Sequence, residues 1–184
     1  MCRLLLKDYI DKDSVLKDYP VKGVNFLDIM PLLQTKSNIV LLQKELSAAI
    51  QTPVIALAEA RGFLFGGLVL NGVSPVECMI PFRKTGKLPP IGRVYNAEIE
   101  KEYGLDVLQY RETDMLNAKK ISNRITVFDD VLATGGTARQ MALSLKEHGF
   151  VVEKFVFVTK INGLQGMEQL KDIAPAEIIF DNNL

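Results

Sequence analysis

Residues 124–137 read RITVFDDVLATGGT, and this stretch decides the fold. Ile125, Thr126, Val127 and Phe128 are β-branched or aromatic, the composition of a short buried strand. Asp129 and Asp130 follow, then Leu132 and Ala133 lead into Thr134-Gly135-Gly136-Thr137 and a helical stripe at Ala138, Met141, Ala142 and Leu145. The order is strand, acidic pair, loop and helix start. Two glycines without Cβ atoms let the backbone curl and aim several N–H groups at one spot. A helix N-terminus behind that spot makes it suit an anion such as phosphate. Two carboxylates would repel a bare anion, so the pairing calls for a sugar with hydroxyls set between phosphates and a divalent cation nearby.

Working outward, the same grammar repeats. Apolar residues at Ile39, Leu42, Leu46, Ala49 and Ile50 predict a core-facing helix capped by Ser37 or Asn38 and ended by Pro53. Val54 to Ala58 is a continuous apolar run, as a parallel strand buried on both faces requires. Glu59-Ala60-Arg61-Gly62 forms the loop beyond it, and Phe63 to Asn71 reads as a tightly packed small-residue helix. Further strands are expected at Val76 to Pro81, Asp106 to Tyr110, Val151 to Val158 and Ala176 to Phe180, with Gly149 as a helix C′ residue and a short helix within Gly163 to Ile173. Residues 3–19 fit one or two short amphipathic helices, Tyr19 to Pro31 an extended segment, and Leu116 to Asn123 a polar approach. The alternation predicts an α/β fold with a mainly parallel sheet flanked by helices. Ligands of such sheets bind beyond the carboxyl ends of the strands, where both the Glu59 and the Asp129 loops fall.

Composition narrows the rest. The 184 residues, 48% apolar and 24% charged, fit one domain over 1–184. Lys+Arg and Asp+Glu both number 22, so no global field draws the chain to nucleic acid or an anionic membrane. The three leucines near the N-terminus are too few for a signal core, and Phe63 to Leu70 is interrupted by glycines, so a cytoplasmic protein is expected. Cys2 and Cys78 lack zinc or disulfide spacing. His148, the lone histidine, reads as a surface residue in the last turn of a helix. Neither Gly-x-x-x-x-Gly-Lys-[Ser/Thr] nor Gly-x-Gly-x-x-Gly occurs.

Two segments stay open on sequence alone. Residues 82–105 hold Arg83, Lys84, Lys87 and Arg93, Pro89-Pro90, and the acidic run Glu98, Glu100 and Glu102. A long, weakly structured stretch of this kind reads as a mobile lid or as a solvated surface hairpin. Phe26 reads either as core or as a stacking surface.

Val127 to Thr137 resembles the phosphoribosyl-pyrophosphate (PRPP) signature of the type I phosphoribosyltransferases. Within that superfamily the chain is most similar to the adenine phosphoribosyltransferase family. The similarity runs through Gly23 to Ile29, Glu59 to Gly66, Arg83 to Pro89 and Glu102-Tyr103-Gly104, in matching order. The resemblance implies the type I fold with a small N-terminal hood (1–35) and a flexible catalytic loop (82–105). It implies purine salvage: adenine and PRPP give AMP and pyrophosphate with Mg²⁺, which is carried by PRPP rather than by a protein metal site. Ala133, Thr134, Gly135, Gly136 and Thr137 would cradle the 5′-phosphate, and Asp129 and Asp130 would hold the ribose hydroxyls. Ala60, in a peptide the family often holds cis, and Arg61 would meet the pyrophosphate. Arg83 and Lys87 would do so across a homodimer interface. Phe26 would stack on adenine while backbone groups of Asn25 and Leu27 read its edge, and Tyr103 would belong to the lid.

Glu102 is the acid/base candidate. The purine must lose a proton from N7 as N9 attacks the anomeric carbon, and a carboxylate at N7 accepts it. Glu98 and Glu100 are rivals; the Tyr-Gly that follows Glu102 matches the family pattern. Leu27 stands where the family usually has Arg, and Lys22 where it has Pro, changes that leave backbone recognition of adenine intact. Other readings are a transferase for another 6-substituted purine and a non-catalytic PRPP- or nucleotide-sensing regulator on the same fold.

Overall fold

The computed structural model describes residues 14–19, 22, 26–101 and 104–180. Nine strands fall among them. Val15–Leu16 (β1) and Phe26–Leu27 (β2) form a small antiparallel pair. The other seven are Val54–Ala58 (β3), Cys78–Lys84 (β4), Val94–Lys101 (β5), Gly104–Arg111 (β6), Arg124–Leu132 (β7), Val151–Lys160 (β8) and Ala176–Ile178 (β9). They make one sheet in the order β5-β6-β4-β3-β7-β8-β9. The five strands from β4 to β9 in that order run parallel, and β5 and β6 add an antiparallel hairpin at the β4 edge.

Helices Lys36–Ala49 (α1) and Arg61–Gly66 (α2) cover one face, and Glu112–Ile121 (α3) and Gly136–Glu147 (α4) the other; Gly166–Leu170 (α5) follows β8. Because successive strand residues point to opposite faces, β3 feeds two cores. Val54, Ala56 and Ala58 pack with Met115, Met141 and Leu145, while Ile55 and Leu57 pack with Leu42, Leu46 and Phe65. Every β3 residue is therefore buried, as its unbroken apolar run requires.

Local chemistry sets the helix ends. Thr35, rather than Ser37 or Asn38, caps α1, its side-chain oxygen accepting from the Asn38 N–H at 3.3 Å. At the far end of α4, Gly149 takes φ +77°, and the Gly149 and Phe150 N–H groups donate to Lys146 and Leu145 carbonyls at 2.9 and 3.1 Å.

Several expectations change. Val15–Leu16 is a strand paired with β2, not a helix, and residues 1–13 lie outside the described set. The polar approach at 116–123 is mostly α3, with only Met115 and Ala118 buried. Among the described residues of 82–105, β4 runs to Lys84 and β5 pairs with β6 from Val94↔Arg111 to Lys101↔Gly104, so of the two readings of this stretch the hairpin is the one these residues form. His148 is not simply on the surface. It is half-buried, its ring 4.6 Å from Tyr95 and 5.6 Å from Tyr110, so the end of α4 packs on the hairpin.

Candidate active site

β3 and β7 lie side by side in parallel register, with Leu57 opposite Phe128, so the loops beyond them meet at one edge of the sheet. β7 carries its ladder with β8 on to Leu132↔Lys160, past the end of β3. Asp129 and Asp130 are thus strand residues rather than the start of a turn, and their side chains part company.

Asp129 joins the loop Ala133–Thr137 in lining a cavity of about 70 Å³. Gly135, at φ +86°, is the N-cap of α4 and offers no side-chain cap, so the first N–H groups of the helix are left for a ligand. Asp130 points instead to Arg61, whose Nε stands 2.5 Å from Oδ2 in an ion contact outside hydrogen-bond alignment. Burial and the neighbouring Asp130 charge push the Asp129 carboxyl well above the ordinary carboxylate range; Arg61 opposes the shift. Asp129 Oδ1 accepts the Asp130 N–H at 2.9 Å.

Arg61 begins α2 directly after the Glu59–Ala60 peptide, which is cis. Its guanidinium spans three groups: Asp130, the Leu27 carbonyl (Nη1 to O, 3.1 Å) and the Phe26 ring (4.8 Å to the centroid). The β1–β2 pair is thereby tied to the sheet edge, with Phe26 half-buried rather than in the core and its ring 5.3 Å from Tyr19.

Glu59 holds Arg83. The Arg83 Nη2 and Nε donate to its carboxylate at 3.1 and 3.3 Å, and the Lys84 N–H at 3.0 Å. The hydrogen bond from Arg83 sets the Glu59 carboxyl below its ordinary value. Lys87 is exposed in the turn that follows β4. Asn25, Glu102 and Tyr103 lie outside the described residues.

Two glycines let α2 sit close to the sheet, Gly62 at the site and Gly66 against the core. A Cβ on Gly62 would sit 3.0 Å from Asp129 Oδ1, and one on Gly66 would sit 2.4 Å from Leu57 Cδ2. The close approach of α2 at Gly62 and Gly66 therefore has its partners in Asp129 and β3. Sequence reasoning missed the Glu59–Arg83 pairing. Its only signal was a carboxylate at the end of one buried strand and an arginine at the end of the next.

No protein-family model matches the chain. It is 36% identical over 168 residues to the adenine phosphoribosyltransferase of Mesomycoplasma hyopneumoniae (strain 7448), covering 91% of this chain and 92% of that one. The chain belongs to the adenine phosphoribosyltransferase family. Solved adenine phosphoribosyltransferases share the fold. That of Rhodothermus marinus DSM 4252 superposes with TM-score 0.81 at 27% identity over 98% of both chains. That of Saccharomyces cerevisiae, complexed with D-2,5-dideoxy-2,5-imino-altritol 1,6-bisphosphate and adenine, gives 0.75 at 26% identity over 97% and 98%. The central mostly parallel sheet flanked by helices is the type I phosphoribosyltransferase fold.

Proposed function

We infer that this chain transfers the 5-phosphoribosyl group of PRPP to N9 of adenine in purine salvage. The C1′–N9 bond forms, the C1′–oxygen bond to pyrophosphate breaks, and the products are AMP and pyrophosphate. The observation that carries the reading is the uncapped α4 N-terminus beside Asp129, in a chain of this family. Ala133 to Thr137 cradle the 5′-phosphate through backbone N–H groups. Asp129 and Asp130 accept the ribose hydroxyls. Ala60 and Arg61 meet the departing pyrophosphate, whose charge the guanidinium offsets.

Phe26 stacks on the base, and backbone groups of Asn25 and Leu27 read its edge. The adenine in the Saccharomyces cerevisiae complex supports this choice of base. Glu102 accepts the N7 proton as N9 attacks, and closure of the 82–105 segment with Tyr103 keeps water from the anomeric carbon. Arg83 and Lys87 reach the pyrophosphate of a partner subunit in a homodimer.

Mg²⁺ suits the hard carboxylate oxygens of Asp129, which lines the cavity, whereas Asp130 is engaged by Arg61. Among the described residues no group of three or more His, Cys, Asp or Glu is placed to hold a metal. In this reading the ion arrives with PRPP. When bound, it neutralises charge on the phosphates. No helix among the described residues is long and apolar enough to cross a membrane, and we place the reaction in the cytoplasm.

Purified chain, PRPP, Mg²⁺ and adenine, resolved by chromatography, test the reading. AMP and pyrophosphate in equal amounts are expected; absence of AMP under every metal and pH condition overturns it.

A further inference from the structure

The C-terminal part of the chain holds none of the groups assigned to substrate, yet it packs directly on the phosphate loop. A Cβ on Gly166, at the start of α5, would lie 2.3 Å from the Ala133 carbonyl oxygen and 2.9 Å from Leu132 Cδ1. A Cβ on Gly135 would lie 2.8 Å from the Gly166 carbonyl oxygen. The two backbones touch where any side chain would separate them. Nearby, the Ile161 N–H donates to the Leu132 carbonyl at 2.9 Å.

Arg139, in the first turn of α4, locks the pairing from the helix side. Its Nη1 donates to the Gln169 carbonyl at 2.5 Å and to Asp172 Oδ1 at 2.6 Å, and its Nη2 to Asp172 Oδ2 at 2.9 Å. The fork joins α4 to α5 through both a carboxylate and a backbone carbonyl. Leu170, fully buried, anchors α5 in the core.

We propose that Gly166, Arg139 and Asp172 are positioning residues that hold the loop Ala133–Thr137 in the geometry that binds the 5′-phosphate. The proposal rests on the reading of that loop as the phosphate cradle. With no side-chain cap at Gly135, only backbone packing fixes the direction of the N–H groups, and hydrogen bonds weaken steeply with misalignment. A Cβ at Gly166 forces a retreat on the order of 1 Å before carbon–oxygen contact is restored. A displacement of that size costs about 10²-fold at a preorganised site.

The test is equilibrium binding of ribose 5-phosphate, together with kcat and KM for PRPP and adenine, on wild type, Gly166→Ala, Arg139→Gln and Arg139→Lys. Gly166→Ala is expected to weaken ribose 5-phosphate by about 10²-fold and to raise KM for PRPP, with KM for adenine nearly unchanged. Arg139→Gln loses roughly threefold in the same two quantities, and Arg139→Lys recovers part of it. Unchanged ribose 5-phosphate affinity in either folded variant, or equal rises in both KM values, overturns the proposal. If Gly166→Ala does not fold, the Arg139 pair decides alone. Failure of the wild type to bind ribose 5-phosphate instead overturns the reading of the loop itself.

Discussion

Arg61 Nε stands 2.5 Å from Asp130 Oδ2. The contact joins the β3 loop to the β7 strand end, and the same guanidinium holds the Leu27 carbonyl and covers Phe26. One cation thus occupies a carboxylate proposed for the ribose and two groups proposed for the base.

In the proposed reaction a pyrophosphate anion would compete for that guanidinium and leave Leu27 and Phe26 to the base. Calorimetry is expected to show adenine binding strengthened about fivefold or more by pyrophosphate with Mg²⁺ in wild type, and no such coupling in Arg61→Met. The same substitution raises KM for PRPP by about tenfold or more, the loss of one charge-assisted contact.

Asp129 gives a pH signature of stability. Its native carboxyl titrates above the ordinary value of 3.8. The proton therefore binds the folded state more tightly. The resulting stabilisation is complete below the unfolded value and is lost as pH rises through the raised native value. Above the unfolded value, burial of this carboxyl is therefore a cost to the free protein. Asp129→Asn is expected to raise Tm at pH 7.5 and to lose that advantage in acid, while activity falls sharply. Equal Tm gains at pH 7.5 and pH 3.5 would contradict this cause.

Gly66→Ala tests packing apart from chemistry. The added Cβ would sit 2.4 Å from Leu57 Cδ2 and 3.1 Å from Phe128 Cδ1. Overpacking of this kind costs about 1–3 kcal/mol, which lowers Tm by roughly 3–10 °C at this chain length. Thermal denaturation measures it, with kcat per folded molecule expected to stay near wild type.

The centre of the fold was legible because its signals are local. The run Val54 to Ala58, the acidic pair and the Gly135-Gly136 turn each carry their own stereochemistry, and Gly149 announces the end of α4 where it occurs. The edge was legible only in part: Asp106 to Tyr110 read as a strand and lies in β6, but the partner strand β5 did not stand out. β5 and β6 acquire their strand state from each other and from β4, and the run of charges and prolines masks that pairing. α3 buries little beyond Met115 and Ala118, so its apolar stripe is faint. Gly166 has no periodicity to betray it, and its use appears only when β8 and α5 bring it against Ala133. In the site, the Arg61 reach to Leu27 spans 34 positions, a tie no motif encodes.

Glu102→Gln separates binding from proton transfer. PRPP affinity is expected to hold within about threefold, while kcat with adenine falls by roughly 10²- to 10⁴-fold, the usual weight of a general base. Turnover near wild type would move the assignment to Glu98 or Glu100.

The choice of base is the central claim, and a competition assay tests it most directly. With PRPP and Mg²⁺ held constant, kcat/KM is measured for adenine, hypoxanthine and guanine. Adenine is expected to exceed both by at least about 10³-fold, since a site built to pair with an exocyclic amine leaves its own polar groups unmet by an oxo purine. A chain that made IMP or GMP as readily as AMP would contradict the account.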